Sequence, residues 1–171
     1  MSFVRPAIAD GPQIGKGYSM NVSEYLTEQG VPFEFFEHPP AYTAQEVAAE
    51  EHISGDMLAK AVLVHDGKGY VMCVLPASYK LDMDKTAKAR KVKRVRLADE
   101  TELAKVFPDV EVGGEPPFGN LYNLPTLMDR HLADSEDVVF QAGTHRQAIR
   151  MKCADYIALI EPTVTDLAVH L

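Results

Sequence analysis

Short apolar runs separated by polar turns dominate the pattern of this chain, and they predict several strands. The runs KAVLVH (60–65) and YVMCVL (70–75) are joined by Asp66-Gly67-Lys68-Gly69, which is typical of a hairpin turn. PFEFFEH (32–38) has the aromatic composition of a strand. Further strands are predicted at 94–97, 127–129, 138–142 and 147–151.

Helices are predicted between these strands, because several of the intervening segments begin or end with residues that cap helices. A short helix is expected at 23–29, ended by Gly30. Capping-box patterns predict helices that begin near Thr43 and near Asp99. A basic helix at 82–91 and a closing helix at 154–160 complete the set. The mixture of hairpins and interleaved helices predicts an α/β fold: a single domain with a mixed sheet and flanking helices.

Residues 1–20 show no periodicity and are predicted to form an N-terminal extension to a domain that comprises residues 21–171. This N-terminus has no apolar signal segment, and the chain has no run of about 18 apolar residues. We therefore expect a cytoplasmic protein that does not interact with membranes. Cys73 and Cys153 lack the spacing of a metal or redox site, Cys73 is expected to be buried, and no cofactor or metal is predicted.

The charge of the chain is unevenly distributed. A net charge of −8 argues against a general nucleic-acid binder, and no DNA partner is expected, yet residues 80–96 hold eight basic residues against Asp82 and Asp84. That segment is therefore +6 and the remainder of the chain −14. The segment either contacts phosphates or forms a solvated helix face. The candidate phosphate-binding residues are Lys88, Arg90, Lys91 and, in a later turn, Arg146.

Lys60 is the first candidate for a chemical role, because it begins a strongly apolar strand. It shares a strand face with Val62 and Val64. A lysine beside a buried face is partly desolvated, which makes its ammonium a strong local electrostatic group. The alternative is a strand-end lysine whose ammonium extends to water.

Two histidines are further candidates. His145 follows Gly143 and Thr144 in a tight turn between two predicted strands, where functional side chains are often held. The alternative is that His145 is only a polar turn residue. His38 lies between a predicted strand and a predicted helix, so it either contacts a ligand or caps the loop.

The stretch GGEPPFGN (113–120) is a candidate binding loop. Its glycines let a ligand approach the backbone, and its prolines stiffen the loop before binding. Pro117 has no N–H to donate. The amides that remain are those of Gly113, Gly114, Glu115, Phe118 and Gly119. The alternative is a plain connector between elements.

Taken in order, four segments resemble the YbaK/prolyl-tRNA-synthetase-associated editing domain family. They are HPPAYTAQEVA (38–48), AKAVLV (59–64), GGEPPFG (113–119) and VVFQAGTHRQAIRM (138–151). The closing helix ADYIALIEP also fits, so the resemblance covers roughly residues 21–162. It implies a single α/β domain with a mixed, curled sheet.

The resemblance also implies an activity. Family members hydrolyse the ester between a wrong amino acid and the 3′-terminal adenosine of a tRNA, often proline tRNA carrying alanine or cysteine. Lys60 matches the family lysine required for deacylation, and His145 matches the histidine of the late turn. Gly113 and Gly114 match the loop that holds the aminoacyl end. The other substrate-binding residues that we predict are Glu115, Pro117, Phe118, Gly143, Thr144 and His38.

The resulting prediction is a trans-editing aminoacyl-tRNA deacylase. Its predicted partners are the 3′ acceptor end of an aminoacyl-tRNA and a synthetase. The alternatives are a non-catalytic module that binds acceptor ends or nucleotides beside a synthetase, and a small-molecule hydrolase. Family members that clear alanine usually carry asparagine after the lysine, whereas Ala61 follows Lys60 here. The resemblance therefore leaves open the amino acid removed and the attacking group, which is either water or part of the substrate.

Overall fold

A computed structural model describes residues 21–37 and 55–171 of the chain. Its strands are β1 (Phe33–Glu37), β2 (Ala59–His65), β3 (Tyr70–Pro76), β4 (Tyr79–Leu81), β5 (Arg96–Leu97), β6 (Thr126–Asp129), β7 (Asp137–Gln141), β8 (Gln147–Lys152), β9 (Thr163–Thr165) and β10 (Ala168–His170). Its helices are α1 (Val22–Gln29), α2 (Met83–Arg90), α3 (Glu100–Val106), α4 (Arg130–Ala133) and α5 (Cys153–Ile160), and a 3-10 helix spans Gly119–Tyr122. The predicted helix near Thr43 and the predicted extension 1–20 lie outside the described residues.

The capping residues seen in the sequence form the contacts expected of them. Asn21 caps α1, and Gly30 ends that helix in the left-handed conformation at φ 71°. Asp82 caps α2. Asp99 and Glu102 form the capping box of α3. The local signals therefore located these helix ends correctly.

The sheet is mixed, as predicted, and two sets of strands meet at one bridge. One set of strands has the order β5-β2-β3-β6-β9. In it, β2 runs antiparallel to β5 and β3, whereas β6 runs parallel to β3 and β9. The set β1-β8-β7 is antiparallel. Leu58, just before β2, pairs in parallel with Val139 of β7. Val139 N also donates to Met57 O at 3.0 Å, so β7 lies beside the beginning of β2.

Different hydrophobic clusters cover the two faces of β2. Ala59 and Leu63 pack into the main core, which includes Phe118, Phe140, Ile149 and Tyr156. Val62 and Val64 pack into a second cluster, which includes Cys73, Leu75, Leu127 and Leu167 and which α2 covers through Met83 and Ala89. Because side chains alternate along a strand, Lys60 lies on the face of the second cluster.

The described residues contain neither a membrane-spanning helix nor a metal-binding cluster. Within residues 21–37 and 55–171, no helix is long and apolar enough to cross a bilayer. In the same ranges no three His, Cys, Asp or Glu side chains are grouped to hold a metal ion.

Cys73 is fully buried, as expected, and this burial raises the pKa of its thiol to about 12.

Candidate functional site

The glycine loop, residues 111–119, lies beside the β7–β8 turn, residues 142–146. Gly143 N donates to Gly114 O at 2.9 Å, and Glu111 N donates to Gly143 O at 3.0 Å. Two segments that the sequence marked separately as binding candidates are therefore neighbours in the fold.

Glycine is required at two positions of this junction for different reasons. A Cβ on buried Gly114 would lie 3.2 Å from both the N and the carbonyl C of Thr144, and 3.3 Å from Glu111 O. Because these neighbours are backbone atoms, any side chain would push the loop and the turn apart. Gly143 has open space around it, but its φ of +100° disfavours residues with a Cβ.

His145 connects the turn to the glycine loop, and only 7% of the residue is exposed. Its backbone N donates to Glu111 Oε1 at 2.8 Å, and its ring Nε2 lies 2.8 Å from Val112 O. A carbonyl only accepts, so Nε2 carries the proton in this contact. The geometry is that of a positioning residue, and the catalytic role of His145 stays a prediction.

The amides of both glycines are occupied within the loop. Gly114 N donates to Glu111 O at 2.8 Å, and Gly113 N donates to Glu115 Oε2 at 2.8 Å. This differs from our expectation that both amides are open to a ligand. The two amides are not equivalent, however, because the acceptor for Gly113 is a side chain that can rotate away. Burial raises the pKa of Glu115, although the bond from Gly113 N acts in the opposite direction.

Two other loop residues that were expected to bind substrate serve as anchors. Phe118 is fully buried in the main core, where its ring meets Phe140 edge-on at a centroid distance of 5.1 Å. Pro117 O accepts a hydrogen bond from the hydroxyl of Tyr156. The prediction for Phe118 is therefore corrected: its ring fastens the loop to the core and lines no open surface.

Lys60 is a half-buried cation with few partners. Its Nζ donates to Ala77 O at 3.5 Å, a long hydrogen bond. It forms no ion pair with any residue in the part of the chain that the structure describes. An ammonium has three donors, so most of this group's capacity is available to a ligand. Burial lowers its pKa, because a partly dry environment disfavours the charged form.

One β-bridge relates the beginning of β2, the strand that holds Lys60, to β7, the strand that leads into the β7–β8 turn. Leu58 pairs in parallel with Val139 in an isolated bridge, and this register, continued for two residues, leads from Leu58 to Lys60 on one strand and from Val139 to Gln141, the last residue of β7, on the other. Gly143 follows two residues later, where the chain has left the strand and turns with a φ of +100°. Lys60 and the turn that supports the glycine loop therefore belong to one end of the sheet.

The remaining predicted residues divide into four groups. Thr144 Oγ1 accepts from Arg146 N at 3.2 Å, so this side chain shapes the turn. Lys88, Lys91 and Arg146 are exposed. Arg90 differs from these, because its Nε lies 3.1 Å from Oδ2 of buried Asp66 and its charge is compensated by that ion pair. His38 lies outside the described residues.

Glu111 is a residue that the sequence analysis missed. Through its backbone and its carboxylate it contacts Gly114, Gly143 and His145. An exposed glutamate two residues before a pair of glycines carries no recognisable sequence signal. Its importance depends on partners that lie up to 34 positions away.

A family model described as an aminoacyl-tRNA editing domain matches residues 38–159, most of the chain. The chain belongs to this family, and the resemblance to the YbaK-type editing domains is confirmed.

Solved structures show the same fold. The hypothetical protein APE2540 is similar at 22% identity with a TM-score of 0.79, over 86% of this chain and 99% of that one. A candidate trans-editing enzyme for prolyl tRNA synthetase is similar at 23% identity with a TM-score of 0.74, over 98% and 99% of the two chains. At these identities the likenesses establish the YbaK-like α/β fold.

Proposed function

We propose that this protein is a trans-editing deacylase, which hydrolyses the ester of a mischarged tRNA. The observation that carries the proposal is Lys60, a partly desolvated cation with spare donors near the beginning of β2, the end of that strand which bridges to β7. Membership of the editing family supplies the class of substrate. The candidate trans-editing relative supports proline tRNA, or a related tRNA, carrying a small wrong amino acid. A synthetase that makes such errors would be the source of the substrate.

An aminoacyl ester is already activated, so the site mainly has to position it and stabilise the developing negative charge. In the proposed reaction, a nucleophile attacks the ester carbon and the carbonyl oxygen becomes an oxyanion. The Lys60 ammonium donates to that oxygen. Collapse of the intermediate breaks the bond to the ribose oxygen, which takes up a proton. When water attacks, the products are the free amino acid and a tRNA with a free 3′ hydroxyl.

The glycine loop contributes shape and one releasable donor. Of the two glycine amides, that of Gly113 is held by a side chain, the Glu115 carboxylate. Rotation of Glu115 frees the Gly113 amide for a substrate oxygen, and it leaves the bonds that fasten Gly114 unchanged. His145 holds the loop in place through Val112.

A second candidate function is a non-catalytic module that binds the acceptor end. The occupied amides of Gly113 and Gly114 favour it, because donors that are already satisfied do not stabilise an oxyanion. Both functions use Lys60, but only the deacylase requires it for release of the amino acid.

A panel of mischarged tRNAs tests the proposal. Release of amino acid is followed for the wild type, for Lys60→Ala and for a control, Lys105→Ala, which removes an exposed lysine from α3. We expect release from at least one tRNA, and a loss of about 100-fold or more in Lys60→Ala, the usual effect of removing one oxyanion donor. No release from any tRNA, or full release by Lys60→Ala, contradicts the proposal. Tight binding without release supports the binding module.

A further inference from the structure

The basic segment contains two kinds of cation, which the structure separates. Lys85, Arg90 and Arg96 pair with Asp166, Asp66 and Glu102 at 3.0, 3.1 and 2.8 Å. The other kind is exposed and forms no ion pair with the residues in 21–37 and 55–171. At the end of α2, this kind comprises Lys88, Lys91, Lys93 and Arg94, which we call the cationic patch.

The end of α2 gathers these four charges into a short stretch of surface. Lys91 ends the helix in the left-handed conformation at φ 60°, and Val92 N donates back to Ala87 O at 3.0 Å. Because the helix ends here, Lys93 and Arg94 follow its last turn within a few residues. Four like charges within seven residues repel one another. An arrangement of exposed, uncompensated cations is typical of a surface that meets a polyanion.

The cationic patch shares a face of the sheet with Lys60. Helix α2 packs on the second cluster, the same cluster that Val62 and Val64 of β2 join. Arg90 bonds to Asp66, directly after β2, so α2 ends at the His65 end of that strand. Lys60 lies near the opposite end of β2. The five steps along the strand from Lys60 to His65 span about 17 Å.

We propose that the cationic patch binds backbone phosphates of the acceptor strand whose 3′ ester lies at Lys60. This inference rests on the proposed function. The span of about 17 Å along β2 is several times the spacing of stacked nucleotides, ~3.4 Å in a DNA duplex, so the patch lies several nucleotides upstream of the ester. The patch therefore recognises the acceptor stem and makes no contact with the terminal nucleotide.

The test compares a triple variant, Lys88→Glu with Lys91→Glu and Lys93→Glu, with the wild type. The matched control is Lys105→Glu, because α3 packs through Leu103 against the main core, on the other face of the sheet. Binding of uncharged tRNA is measured over a range of salt concentrations. Deacylation is measured on whole aminoacyl-tRNA and on an aminoacylated CCA trinucleotide.

We expect the triple variant to bind tRNA at least about tenfold more weakly at low salt, and the slope of log K against log salt to fall by about two to three. Its kcat/KM should fall on whole tRNA and stay unchanged on the trinucleotide. The control should match the wild type throughout.

Three outcomes overturn the inference: an unchanged salt slope, an equal loss on the trinucleotide, or no binding of tRNA by the wild type. The proposed function fails in a different way. If the wild type releases no amino acid but its tRNA binding depends on the patch, the deacylase is wrong and the phosphate surface is supported.

Discussion

The two halves of the candidate site are held in opposite ways. In the glycine loop, the amides of Gly113 and Gly114 and the ring of His145 all have partners inside the protein. Lys60 has one long hydrogen bond, from Nζ to Ala77 O. The loop is therefore shaped during folding, and the lysine is left with donors for a ligand.

This difference indicates how the protein combines stability with reactivity. A loop that is ordered beforehand loses little conformational entropy on binding. A cation kept partly out of water interacts more strongly with a developing oxyanion, but its own desolvation opposes folding. We expect substitutions in the loop to change stability and activity together. A substitution of Lys60 should lower activity without lowering stability.

Lys60→Met should give the largest effect, because it removes the charge and keeps the apolar stem. We expect at least about a 100-fold loss of deacylation with no loss of stability. Burial lowers the folded-state pKa of Lys60 below its ordinary 10.5, so between these two values the unfolded chain binds more protons. The stability of the wild type should therefore rise with pH in that alkaline window, and the variant should lack this rise. Thermal unfolding at several pH values checks this, and a large destabilisation would contradict it.

Gly114→Ala should produce the next largest effect, on both properties. The new Cβ meets backbone atoms of Thr144 and Glu111 at 3.2 to 3.3 Å, so the loop must move. We expect a loss of about 1–3 kcal/mol in the free energy of unfolding, together with reduced activity. Gly69→Ala is the control, because a Cβ there meets nothing within 4 Å. Equal behaviour of the two variants would show that the close approach is unimportant.

His145→Ala distinguishes positioning from catalysis. Loss of the ring removes the donor to Val112 O, and we expect the free energy of unfolding to fall by about 1–2 kcal/mol. The rate on saturating substrate should fall only several-fold. A drop of about 100-fold or more with unchanged stability would instead assign His145 to the chemistry. His170→Ala, at an exposed histidine near the C-terminus, is the control.

Glu115→Gln should give the smallest effect, a change in how stability depends on pH. The direction of the dependence that Glu115 causes is unusual for a carboxylate. Burial raises the folded-state pKa of Glu115 above its ordinary 4.5, so the folded chain binds more protons in that window. The contribution of Glu115 to stability is therefore lost as pH rises from about 4.5 through the folded pKa. The glutamine keeps an acceptor for Gly113 N and lacks this loss. Urea unfolding at pH 4 and pH 7 should show that the free energy of unfolding depends less on pH in the Glu115→Gln variant than in the wild type. A stronger dependence in the variant would contradict the raised pKa of Glu115.

Much of the fold was predictable from local patterns. The hairpin between β2 and β3 and the caps of α1, α2 and α3 lie where the sequence placed them. The short strands β4 and β10 were missed. They pair with each other across almost ninety residues, and three-residue segments carry no periodicity of their own.

The candidate site was only partly predictable. The sequence singled out Lys60, the glycine pair and His145, but it did not show which of their polar groups are already bonded. In the sequence, Phe118 and Gly114 were equally good candidates for substrate binding, yet the ring of Phe118 is buried in the core. Arg90 resembled Lys88 in the sequence, yet Asp66 neutralises it.

The sequence by itself determined the longer strands, the caps of three helices and the order of the motifs that identify the family, because these depend on neighbours a few positions away. Only the tertiary structure decided which amides, rings and cations remain available to a ligand. That availability depends on partners such as Glu111 for His145 and Asp66 for Arg90, which are distant in sequence. A hydrogen bond or an ion pair satisfies a group only at contact distance, and contact between distant segments is established by packing.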